Sequence, residues 1–146
     1  MQTEISEKVK FLNNMLCEID NLYQMLLLKK GLSDSEYVVM FAILELGEVC
    51  LQKDIADNSL INKKTINSTI KKLERKQLIK LKAGKYPNLH IYLTDEGKKY
   101  IQENIIPIIN LENTLLEKIP DNEFNILMSM FEKYVKVFRG DVENLN

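Results

Sequence analysis

The stretch NKKTINSTIKKLERKQLI, residues 62–79, carries six cations and one acid in a chain of 146 residues whose formal net charge is −1. Lysines at 63, 64, 71 and 72 and the guanidinium of Arg75 can neutralise phosphates, and Thr65, Asn67 and Ser68 carry the short donors and acceptors that can read base edges. The chain has only one other arginine, Arg139. Bidentate reading of guanine by arginine is therefore scarce, and direct readout falls to lysine and asparagine. No comparable case exists for catalysis. Cys17, Cys50 and the single His90 lie too far apart in sequence to suggest a zinc site or a disulfide framework. Glu45, Glu48 and Asp54 do not form a convincing acid pair, and no phosphate-loop, nucleotide or covalent-catalysis motif occurs. The expectation is a non-enzyme with no cofactor and no metal.

These residues must be positioned by helices and a short hairpin. At about 100° per residue, Ile66, Ile70 and Leu73 share one side of a helix that Asn62 caps, while Lys63, Lys64, Asn67, Ser68, Lys71 and Arg75 fall opposite. The preceding QKDIADNSL reads as a helix of about two turns, joined to the helix before it by a short apolar link, 49–51. After the basic helix the period changes to two: Ile79, Leu81 and Ala83 alternate with Lys80 and Lys82, and Leu89, Ile91 and Leu93 alternate with His90 and Tyr92. This predicts a two-stranded hairpin with a cationic tip, in which Lys82, Lys85, Tyr86 and Asn88 join the candidate nucleic-acid contacts. A short helix, a turn, a basic second helix and a hairpin form the layout of a winged helix-turn-helix.

Charge is segregated to match. Residues 53–85 hold ten cations and three acids, a net of +7, which leaves −8 on the remainder. A basic face within a neutral chain points to double-stranded DNA as partner. An isolated basic helix could equally be a solvated surface; the hairpin behind it favours the DNA reading. No uncharged apolar run approaches the roughly 20 residues a membrane span needs, and the N-terminus lacks a secretory layout, so a soluble cytoplasmic protein is expected.

The flanking segments are helical. Val9, Leu12, Leu16, Ile19, Tyr23 and Leu26 mark a long helix ending near Gly31. SDSEYVVMFAILELG predicts a helix from a Ser33 or Ser35 cap to Gly47, apolar almost all round and central to the core. Thr94 caps a further helix in which Pro107 predicts a kink, and a last helix begins near Asp121. The outer stripes need more cover than a small winged domain provides, which predicts a homodimer built by the first and last two helices. The fold class is thus mainly α with a small β-wing. A single domain, 1–146, would contain a winged helix-turn-helix part at 33–93 and dimerisation helices at 1–31 and 95–146.

With its densest segment, GEVCLQKDIADNSLINKKTINSTIKKLERKQLIKL, followed by HIYLTDEGKKY, the sequence resembles the MarR family (multiple antibiotic resistance regulators). LTDEG after the second wing strand is the most specific piece. The resemblance implies a dimeric winged helix protein that binds a palindromic operator and usually represses transcription, with Lys63, Lys64, Thr65, Asn67, Ser68, Lys71 and Lys72 at the positions of the family's recognition helix. The family's frequent wing Asp-x-Arg falls on Lys85-Tyr86-Pro87 here, so Lys85 must substitute for an arginine whose planar fork it lacks. The resemblance further implies release by a small aromatic or anionic effector, for which Tyr23, Tyr37 and Met40 are candidates, although their spacing does not distinguish pocket from core and residues of these types favour core. Cys17 falls where peroxide-sensing relatives carry a reactive thiol. Its neighbours Glu18 and Asp20 instead predict a quiet, partly buried cysteine. A thiol-based redox regulator and a winged protein-interaction module without specific DNA binding remain the alternatives.

Overall fold

A computed structural model of the chain describes residues 4–47, 49–59, 61–83 and 89–145. It divides into two compact units, residues 1–107 and 108–146.

The first unit opens with α1 (Glu7–Lys29), capped by the Ser6 hydroxyl, which accepts the Val9 N–H. The helix ends where Gly31 turns left-handed at φ +67°. Leu32 N–H then reaches the Leu27 carbonyl and Gly31 N–H that of Leu28, and Leu27 and Leu32 are both buried. This double closure with an apolar contact is the Schellman motif. Only Leu27 is buried within α1, while Val9, Leu16, Ile19 and Tyr23 of the predicted stripe stay exposed.

α2 (Asp34–Leu46) is the core helix. Ser33 and Glu36 form a reciprocal capping box at its start, and Gly47 stops it. Val39, Met40 and Ile43 are sealed from solvent, but Leu44 and Leu46 are 40% and 39% exposed. The expectation of burial on most sides therefore holds only for the first three turns. α3 (Gln52–Asn58) and α4 (Lys63–Arg75) follow, and Ile55, Ile66, Ile70 and Leu73 complete the packing against α2.

The sheet has one strand more than the sequence predicts. β1 (Val49–Leu51), β2 (Ile79–Ala83) and β3 (Leu89–Leu93) lie in the order β1-β3-β2, all neighbours antiparallel. Ile91 of β3 stands opposite Cys50 on one side and Leu81 on the other. The apolar link at 49–51 is too short to show a period, and only its partner strand makes it a strand.

α5 (Asp95–Tyr100) leads into a π-helical turn, Ile101–Ile105, and then α6 (Ile106–Leu116). In the turn the Ile106 N–H reaches back to the Ile101 carbonyl. In a regular α-helix the Pro107 ring would crowd the Glu103 carbonyl. The predicted disruption thus takes the form of a π turn one residue ahead of the proline, and the helix continues through it.

The second unit holds the rest of α6 and α7 (Asp121–Glu143). No described residue of α7 is buried, and Leu127, Phe131, Tyr134 and Phe138 are among its exposed apolar side chains. Among the described residues no helix is long and apolar enough to cross a membrane.

Candidate nucleic-acid interface

The candidate interface is built on α4. Asn62 Oδ1 accepts both the Thr65 N–H (2.9 Å) and the Thr65 hydroxyl (3.1 Å), which sets the first turn. Ile66, Ile70 and Leu73 are at most 1% exposed, and burial of each aliphatic side chain contributes about 1.5–3 kcal/mol. With that seam fixed, a rotation of about 100° per residue turns Lys64, Asn67, Ser68, Lys71 and Arg75 to the opposite side. All five are exposed, whereas Thr65 is half-buried.

The polar side chains on this face are braced locally. Ser68 Oγ donates to the Thr65 carbonyl at 2.8 Å and keeps its lone pairs for a donor. Arg75 spends its Nε–H on the Lys71 carbonyl at 3.3 Å. The Gln52 amide, at the first position of α3, donates to Asn67 Oδ1 at 2.5 Å. Sequence reasoning missed Gln52; its only signal was its place at the start of the helix preceding the basic one. Lys63 lies 3.9 Å from Asp57 in an exposed pair, a contact that contributes little. On the wing, the exposed Lys82 ammonium sits 4.6 Å above the Tyr92 ring, and His90 lies beside that ring at 6.4 Å. Lys85, Tyr86 and Asn88 lie outside the described residues.

No protein-family model and no curated protein matches the sequence. Solved structures do. A MarR family regulator from Neisseria meningitidis, NMB1585, superposes with a TM-score of 0.81 at 17% identity, over 94% of this chain and 98% of that one. The MarR family regulator Sco3205 from Streptomyces coelicolor, solved in complex with DNA, gives 0.74 at 11% identity, over 93% and 91%. BpsR from Bordetella bronchiseptica, whose DNA binding is regulated by 6-hydroxynicotinic acid, gives 0.67 at 17% identity, over 93% and 99%.

The chain has the MarR winged-helix fold.

Within the MarR fold, Lys72 of α4 and Lys76, its C-cap, remain exposed but direct their ammonium groups to one carboxylate. Lys72 and Lys76 place their ammonium groups on Glu36, Lys72 at 3.1 Å from Oε2 and Lys76 at 2.5 Å from Oε1. Glu36 is 2% exposed and also accepts the Ser33 hydroxyl at 3.1 Å. Burial alone would raise its pKa, but the hydrogen bonds from Lys76, Lys72 and Ser33 outweigh that and hold the carboxyl at about 2 rather than 4.5. Close by, the Lys76 ammonium lies 5.9 Å from the centre of the Tyr100 ring. Burial and the Glu36 charge push the Tyr100 phenol upward.

The remaining candidates are dispersed. Met40 is fully buried core, Tyr37 is half-buried on α2 with its ring 5.9 Å from that of Phe41, and Tyr23 is exposed on α1. Cys17 is exposed rather than partly buried, because α1 buries only Leu27 among its described residues. Cys50 is buried core, and burial together with the Asp54 charge pushes its thiol up to about 11, which makes it a poor nucleophile.

Proposed function

We propose that this chain is a homodimeric DNA-binding transcription regulator of MarR type, a repressor that places α4 of each subunit in successive major grooves of a palindromic operator. One observation carries this reading: Lys64, Asn67, Ser68, Lys71 and Arg75 form an exposed cationic and amide line diametrically opposite a sealed apolar seam. A merely solvated helix has no need of asparagine and serine between its lysines, whereas a groove-reading helix uses the cations for phosphates and the short polar groups for base edges. The wing behind it, with Lys80 and Lys82 exposed, extends the phosphate contact.

Dimerisation is supported by the exposed apolar side chains of α1, such as Val9, Leu16 and Ile19, and of α7, such as Leu127 and Phe131. Two half-sites about one helical turn apart follow from a two-fold dimer. An effector, small and aromatic or anionic, would release the operator; regulation of BpsR by 6-hydroxynicotinic acid supports such a control within the fold. The place of action is the cytoplasm, where the operator DNA lies.

Selection of bound sequences from a random duplex pool, with titration of the winner at two salt concentrations, tests the reading. The expected result is a palindrome bound with a steep loss of affinity as salt rises. Weak binding without sequence enrichment, or binding to protein partners that ignores salt, would overturn it in favour of an interaction module.

A further inference from the structure

The apolar seam of α4 holds the helix down but does not fix its roll. Hydrophobic burial is non-directional, and Ile66, Ile70 and Leu73 would stay buried through a modest rotation about the helix axis. Such a rotation would sweep Lys64, Asn67 and Lys71 sideways across any groove they read. Charge-assisted hydrogen bonds are directional, and Lys72 of α4 and its C-cap residue Lys76 make a pair of them on one flank. Lys72 and Lys76, one turn apart, converge on the two oxygens of a single carboxylate, Glu36, whose position is fixed by its own burial and by the Ser33 hydroxyl. On the opposite flank the Lys63 to Asp57 contact is long and exposed.

We infer that Glu36 is a positioning residue for the reading face: from the first turn of α2 it holds Lys72 and Lys76, sets the roll of α4, and takes both lysines out of phosphate contact. This rests on the DNA-binding reading above. It assigns a role to a residue that touches no DNA, and it moves Lys72 from the contacting set to the supporting one. The carboxylate is buried while the two lysine side chains are 48% and 41% exposed, so solvent screens the pairs and their value lies in geometry more than in stability.

The test compares wild type with Glu36→Gln, Lys72→Met and Lys72→Arg on the selected operator and on a scrambled duplex of equal length, each at several salt concentrations, with the folded fraction measured by circular dichroism. Glu36→Gln and Lys72→Met should lower operator affinity about tenfold or more while scrambled-duplex affinity stays within about twofold, a change in ratio that partial unfolding does not produce. Lys72→Met should leave the salt slope of wild type intact, whereas loss of a phosphate contact would reduce it by about one. Lys72→Arg, which keeps the charge on Glu36, should retain the operator preference. A salt slope reduced in Lys72→Met, or an unchanged operator ratio in folded Glu36→Gln, would overturn the positioning role. If Glu36→Gln does not fold, the Lys72 pair decides alone. A wild type that prefers no duplex would sink the DNA-binding reading itself, a separate outcome.

Discussion

Lys64, Asn67 and Lys71 stand at one-turn spacing along the exposed line of α4, and each has a different expected signature. Asn67→Ala removes an amide that can pair with adenine, so it should cost about 1–3 kcal/mol on the operator and relax discrimination at one base position. Lys64→Ala and Lys71→Ala should weaken binding and reduce the salt slope by about one each, read by fluorescence titration across salt concentrations. The seam behind them was legible in the sequence, because three apolar residues at helical spacing admit little else. Glu36 was not legible. An acid in the first turn of a helix reads as a capping residue, which it also is, and its lysine partners lie 36 and 40 positions away. Its titration gives a second handle. Because the folded carboxyl sits near 2, below its ordinary 4.5, its contribution to stability is complete above pH 4.5 and is lost as pH falls towards 2. The stability gap between wild type and Glu36→Gln in urea titrations should therefore be constant above pH 4.5 and close below it.

The elements owe their junctions to a few residues. LTDEG, the most specific part of the resemblance, forms a structural joint. Thr94 accepts the Gly97 N–H to start α5, and its hydroxyl lies 2.7 and 2.9 Å from the Gln77 and Leu78 carbonyls. Gly97 is pressed against that same strand entry, where an added Cβ would overlap the Leu78 carbonyl oxygen and lie 2.8 Å from Leu93 Cδ1. Gly97→Ala should therefore destabilise the chain by about 3 kcal/mol in chemical denaturation, the upper end for overpacking, because backbone rather than a flexible side chain must give way. The end of α4 repeats the closure of α1. Leu78 N–H reaches Leu73 O and Gln77 N–H reaches Glu74 O, with Gln77 at φ +60° where Gly31 stands in the other helix. Gln77→Gly relieves the left-handed strain and should raise stability by up to about 1 kcal/mol without altering DNA affinity. The first closure was legible through its glycine. The second was hidden because nothing in the local sequence marks it, just as β1 was hidden until Ile91 supplied its partner.

Across the whole molecule, the proposed homodimer would use the apolar stripes that α1 and α7 each leave exposed, and residues 53–85, net +7, would serve DNA. Light scattering at micromolar concentration should report about twice the 17.0 kDa of a single chain. Phe138→Asp, at a position 57% exposed, should shift the mass towards one chain while circular dichroism remains helical. The apolar stripes of α1 and α7 were legible from their periodicity, and among the described residues much of each stays exposed. The π turn at Ile101–Ile105 was not legible, because Pro107 announces a disturbance without saying where or of what kind. Its consequence concerns which changes of length this chain can survive. One residue inserted into or deleted from a helix swings everything downstream by about 100°. The π turn already holds a wider loop of backbone and keeps Ile101, Ile105 and Ile108 turned inward. Relatives of this protein should therefore hardly vary in length between Gly97 and Ile108.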